Sequence, residues 1–181
     1  MTSTRVPALV YFLLLILGLL QWVNAYAQLP SIMASHFAGD GTPNGWQPKE
    51  VFFTFATIII VVTAIPAFFV TRKISKLPPE KISLPNKEYW LAPEHREETW
   101  KFISAFMGWF GCGLLFVLLY GIAQAINYNL PRIRRFDSQG MLVVLAGFTL
   151  AVILDWFTSY ATFTTCRRPR LRPWLGAHID K

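Results

Sequence analysis

Apolar and polar residues fall along this chain in long blocks, not in short periods. Four blocks are nearly free of charge: residues 6–27, 51–70, 103–126 and 141–163. Each is about 20 residues or longer, enough to cross a hydrocarbon core of roughly 30 Å as a helix. A spanning segment must satisfy its backbone within itself, and a helix does so. The pattern predicts an all-α membrane protein with four transmembrane helices and short loops, forming one integral membrane domain over residues 1–181. Residues 28–50 form the first loop and residues 71–102 the second, leaving no room for a separate soluble domain.

Each block carries one distinguishing feature. The first runs from Arg5 to Ala25-Tyr26-Ala27, the outline of a secretory leader with a small-residue cleavage site. Its apolar stretch is long for a leader core, so an uncleaved span is expected. The second contains Pro66, which removes a backbone donor and predicts a kink. The third gathers Gly108, Gly111, Cys112 and Gly113, small residues that let membrane helices approach closely. The fourth contains Asp155, with Ser159 and Thr162 following on the same helical face. An ionisable group at membrane depth is costly and is a functional candidate by default. Two readings of Asp155 stay open: a site, or a protonated or hydrogen-bonded group near the interface helped by Arg167.

Between the first two blocks, residues 29–49 concentrate turn formers: Gly39, Asp40, Gly41, Pro43, Asn44, Gly45 and Pro48. Glycine, and to a lesser degree Asn and Asp, tolerates the positive φ of tight turns. Into this frame the chain sets His36, Asp40, Asn44, Trp46 and Lys49, the candidate ligand- or partner-binding residues. Four residues separate His36 from Asp40, a spacing that suits a shared metal or a base and its orienter. A catalytic zinc needs three protein ligands, and only Glu50 is near in sequence as a third. No HExxH, GxSxG or phosphate-binding loop occurs. The expectation is therefore no metal, no cofactor and no enzymatic activity.

The second loop ends in Tyr89-Trp90-Leu91-Ala92-Pro93-Glu94-His95-Arg96. Aromatic rings with polar tips suit a membrane interface. Pro93 fits the first turn of a helix, with Glu94, Glu97 and Glu98 near its positive end. Glu97 and Lys101 stand at i, i+4. This segment reads as an amphipathic lead-in to the third span. Alternatively it is a docking surface built from Asn86, Tyr89, Trp90, Glu94 and Arg96.

Charge then orients the chain. The net charge is +7, which in a water-soluble chain would suggest nucleic acid. Here the basic residues sit just outside the apolar blocks, and no nucleic-acid partner is expected. With the amino terminus inside, thirteen Lys and Arg lie inside and four outside. The positive-inside rule therefore puts both termini and the second loop in the cytoplasm, and residues 28–50 outside. Arg132, Arg134 and Arg135 in the third loop run against that count. Composition agrees with lipid as solvent: 54% hydrophobic and 15% charged residues, against about 25% charged in ordinary soluble domains. Cys112 lies within a span and Cys166 beyond the last one, so no disulfide is expected.

Two stretches resemble a known family. Leu29-Pro30, His36-Phe37, Gly41, Pro43, Gly45-Trp46 and Lys49 are similar to the signature LP…HF…G-x-P-x-G-W…K of domain of unknown function family 1648. Pro85-Asn86, Tyr89-Trp90, Pro93-Glu94 and Arg96 are similar to its PN-x-x-YW-x-x-PE-x-R motif. The resemblance covers residues 10 to 100 or so. It implies a bacterial inner-membrane protein related to the SdpI-type proteins, whose best-known member confers immunity to a toxic peptide and signals by holding a repressor at the membrane.

Two function classes follow. The first is a non-enzymatic protein whose outer loop recognises a ligand, peptide or partner protein. The second is an accessory subunit of a membrane complex, or a small transporter, that uses Asp155. Expected partners are the lipid bilayer and either another protein or a second copy of the chain.

Overall fold

The computed structural model describes residues 5–74, 76–131 and 135–164, with side chains omitted at 71–74. Helix α1 covers Arg5–Tyr26. Strands β1, Ile32–Phe37, and β2, Pro43–Pro48, follow. Helix α2, Lys49–Ile59, runs through a π-turn at Ile60–Ala64 into α3, Ile65–Ile74. The short α4, Lys87–Trp90, precedes the long α5, Pro93–Asn129, and α6 covers Ser138–Thr164. Four helical stretches are long and apolar enough to cross a membrane: Arg5–Tyr26, Lys49–Val70, Pro93–Asn129 and Ser138–Thr164. Of the described residues, 76% are helical.

The expected lead-in is continuous with the third span. Pro93 opens α5 at its first turn, where its missing N–H costs nothing. At 37 residues α5 is about 55 Å long, well beyond a hydrocarbon core. Glu97 and Lys101 pair at 2.6 Å on its exposed surface. Such a pair contributes little. The kink expected at Pro66 takes the form of the π-turn just before it. The Ile65 amide there reaches back five residues to the Ile60 carbonyl. Widening the helix at this point removes the clash that a proline ring makes with the carbonyl four residues earlier.

Helix α5 is the hub, packed against α1, α3 and α6. Its small residues make the approach possible. A Cβ on Gly108 would stand 3.1 Å from Pro7, and one on Gly111 would stand 3.2 Å from the Phe68 backbone. Beside them Tyr11, Ile60, Ala64, Cys112 and Leu115 form a buried apolar cluster. Tyr11 stacks on Phe68 at 4.3 Å between centroids. Cys112 is buried and donates from Sγ to the Pro7 carbonyl at 3.1 Å. Cys166 lies outside the described residues. In α6, none of the most apolar stretch is buried. Among the crossing helices it leans on α5, and it turns the rest of its surface outward, as a lipid-facing helix does.

The turn-rich stretch is more ordered than a loop. It is an antiparallel hairpin pairing Ile32 with Pro48, Met33 with Gln47, Ala34 with Trp46, His36 with Gly45 and Phe37 with Pro43. A bulge interrupts β1 between Ala34 and His36. The hairpin sits across one end of the bundle. Leu29 and Met33 are buried there with Ala25, Phe52, Ala125 and Ile126.

Candidate functional site

The five hairpin candidates differ in what holds them. Asp40 builds the turn. Its Oδ1 accepts from the Thr42 amide at 2.9 Å and from the Thr42 hydroxyl at 2.7 Å. The two bonds, the backbone one foremost, hold its carboxyl below the ordinary value. Gly41 completes the turn at φ +86°, a conformation that side chains rarely adopt. Lys49 reaches back across the hairpin base. Its Nζ donates to the Tyr26 carbonyl at 3.1 Å and to the Leu29 carbonyl at 3.4 Å, and lies 4.4 Å from the Tyr26 ring centre. An ammonium there satisfies carbonyls left open at the end of α1 and complements its negative pole.

His36 and Asn44 face one another across the strands, with Nδ1 of the imidazole hydrogen-bonded to Asn44 Oδ1. His36 and Asp40 are thus engaged by different partners. Among the described residues, no three His, Cys, Asp or Glu side chains gather closely enough to hold a metal ion. Trp46 makes no hydrogen bond among the described residues and is 60% exposed. Ile32 is 63% exposed, and the pairing places it on the same sheet face as Trp46. Asn44, Trp46 and Pro48 all turn outward along β2.

The frame beneath is set by a residue that sequence reasoning passed over. Asn129, the last residue of α5, presents its amide to β1 as a neighbouring strand would. The Ala34 amide donates to Asn129 Oδ1 at 2.8 Å, and Asn129 Nδ2 donates to the Ala34 carbonyl at 2.8 Å. The same Nδ2 also donates to the Ala125 carbonyl at 2.8 Å. A second tie is aromatic: Phe37 stacks on Phe136 at 4.2 Å and meets Tyr128 edge-on at 5.1 Å. The hairpin is therefore a rigid cap. Arg132 and Arg134 of the third loop fall outside the described residues. Glu50 accepts from the Tyr26 hydroxyl at 3.4 Å.

At the other end of the bundle, Asn86, Tyr89 and Trp90 form a helix cap. Asn86, at φ 51°, donates from Nδ2 to the Phe163 carbonyl at 2.9 Å and the Thr164 carbonyl at 3.4 Å. The Trp90 indole donates to the Phe163 carbonyl at 3.1 Å. These carbonyls belong to the final turn of α6, where no helical donor remains. Thr99, buried in α5, donates its hydroxyl to the Trp90 carbonyl at 2.8 Å. Tyr89 stacks on His95 at 4.2 Å. Glu94 stays exposed, and Arg96 is half-buried on the first turns of α5.

Asp155 opens onto a groove between α5 and α6 with a volume of about 420 Å³. Phe102, Ala105, Phe106 and Trp109 line it from α5, and Asp155, Thr158 and Ser159 from α6. The spacings i, i+3, i+4 and i+7 on one helix, and i, i+3 and i+4 on the other, put each set on one face. The Asp155 side chain makes no ion pair among the described residues, and Arg167, considered as its helper, lies outside them. Its backbone carbonyl accepts from the Thr158 hydroxyl at 3.0 Å. Thr162, at i+7 from Asp155, donates its hydroxyl to the Thr158 carbonyl at 2.8 Å.

Comparison with known proteins agrees with the first signature. Residues 13–68 match the family model described as a domain of unknown function, DUF1648. The match takes in most of α1, the whole hairpin and the second crossing, and stops before the Asn86–Trp90 cap. No curated protein and no solved structure matches the chain. The family match and the four apolar helices mark a multi-pass membrane protein.

Proposed function

We propose that this protein is a non-enzymatic recognition protein of a bacterial inner membrane, whose hairpin faces outward and docks a peptide or protein partner. The carrying observation is the contrast among the signature residues. Leu29 is buried in the core, Phe37 stacks beneath the hairpin, Gly41 supplies the turn and Lys49 caps α1. Trp46 has no such duty, yet a rigid strand holds it 60% exposed beside exposed Ile32. Exposed aromatics on a preorganised frame are what partner hot spots are made of, because little side-chain entropy remains to be lost on binding. His36 and Asn44 add a polar rim, and Asp40 keeps the turn that presents them.

The sidedness rests on charge. By their order along the sequence, Lys49, Arg132, Arg134 and Arg135 fall in the loops on the hairpin side of the apolar blocks, and the other thirteen basic residues in the segments on the opposite side. Both termini and the Asn86–Trp90 cap are then cytoplasmic. A hairpin rooted in α5 and α2, with a separate cap on the far end of α6, suits SdpI-type signalling or immunity, where an outer event is read inside.

Two measurements test this. Gly39→Cys is tolerated sterically, since nothing lies within 4 Å of the added Cβ. In intact cells it should react with a membrane-impermeant maleimide; reaction only after lysis would reverse the orientation. Proteins copurifying in mild detergent should be lost from Trp46→Ala and His36→Ala at unchanged protein level. An identical set from both variants would remove the recognition role.

A further inference from the structure

We infer that the groove between α5 and α6 is a binding site for a lipophilic organic cation, an amphipathic amine or onium ion. Asp155 supplies the reason. It is exposed and is the one charged residue of a helix covered mainly with aliphatic and aromatic side chains, and it has no cationic partner among the described residues. It stands nine residues before the end of α6, about 13 Å along the helix. A carboxylate at that depth is costly unless neutralised, paired or given a cationic ligand.

The rest of the lining narrows the ligand. Phe102, Phe106 and Trp109 lie on one face of α5, opposite Asp155, Thr158 and Ser159 on α6. Ring faces attract cations through their quadrupoles, and the attraction grows when water is excluded. A carboxylate, two hydroxyls and three rings form a lining that favours positive charge, with apolar walls for a hydrophobic body. Among the described residues no Lys or Arg lines the groove, so an anionic headgroup finds no counter-charge in that lining. The volume of about 420 Å³ falls within the range of small-molecule sites, roughly 300–1,000 Å³. A second copy of the chain seated on this face would have to bring its own cation to Asp155, and no Lys or Arg occurs between residues 136 and 164 of α6 and its approach.

The test uses the full chain in lipid nanodiscs, with tetraphenylphosphonium as the cationic probe and triphenylphosphine oxide as its neutral counterpart. Binding is read by calorimetry and by quenching of tryptophan fluorescence. The cation should bind saturably and the neutral compound should not compete. Asp155→Asn should weaken cation binding about tenfold or more, and Asp155→Glu should keep most of it. Phe106→Ala with Trp109→Ala should weaken it while leaving the carboxylate in place, which keeps the test open if Asp155→Asn fails to fold. Equal binding of both compounds, or unchanged binding in Asp155→Asn, would overturn the assignment in favour of an ordinary lipid-facing seam. A switch from dimer to monomer in Asp155→Asn without any cation binding to the native chain would overturn it in favour of a second copy.

Discussion

At the scale of single residues, the hairpin separates side chains that build from those that present. Asp40 builds, and its hydrogen bonds carry a pH signature. Because they lower its folded-state pKa, their stabilisation is present above the ordinary value of 3.8 and is lost as pH falls through the folded value. The turn should therefore loosen only under strongly acidic conditions. Asp40→Asn should remove that dependence while still accepting from the Thr42 amide. Proteolysis at the turn as a function of pH checks both outcomes. Tyr11 presents the opposite case. It is 1% exposed, and its hydroxyl has no hydrogen-bond partner among the described residues. Replacing an unsatisfied buried hydroxyl by hydrogen is close to neutral or favourable. Tyr11→Phe should therefore keep or raise the melting temperature in detergent, where most core substitutions lower it.

At the scale of elements, the decisive joints are long-range pairs. Asn129 holds both backbone groups of Ala34, so Asn129→Ala leaves two buried groups unpaired at about 1–3 kcal/mol each. The variant should melt earlier and expose the hairpin to protease first; an unchanged hairpin would mean that Phe37 and Phe136 suffice. Gly111→Ala should also destabilise, by about 1–3 kcal/mol, because the new methyl meets the Phe68 backbone and no flexible tip can yield. These joints mark where the sequence stopped being readable. The helices were legible from block length, and the start of α5 from Pro93 with its acidic first turn. The strands were not. Pro-Asn-Gly-Trp-Gln-Pro has no apolar alternation, and prolines at both ends suit only an edge strand. Ile32–Phe37 pairs with β2 and is also held at Ala34 by Asn129, whose position 95 residues away leaves no local trace. The motif at Asn86–Trp90 was visible as a motif, but its role as a cap lay 77 residues away at Phe163. Lys49 likewise gave no sign that it would turn back to Tyr26.

At the scale of the whole molecule, the two ends of the bundle are fastened differently, and this sets which part moves. The hairpin end is pinned by Asn129, Lys49, the Phe37–Phe136 stack and a buried apolar cluster. At the other end α6 is held by its packing on α5, by the Asn86 and Trp90 hydrogen bonds to its last carbonyls, and by edge-on contacts of Phe163 with Trp90 and Phe102. Its amino end is secured by Asp137, whose Oδ1 accepts from the Gly140 amide at 2.9 Å as an N-cap. Of the four crossing helices α6 is the least buried, and its carboxyl half, which carries Asp155, depends on the Asn86–Trp90 cap. Releasing the cap should loosen that half and leave the rest in place. In Asn86→Ala combined with Trp90→Phe, amide hydrogen exchange should rise over residues 155–164, where few tertiary contacts oppose opening. Exchange in β1 and β2 should be unchanged. A uniform rise across both ends would mean that the bundle opens as one cooperative unit, and that a signal at the hairpin and the position of Asp155 cannot be set independently.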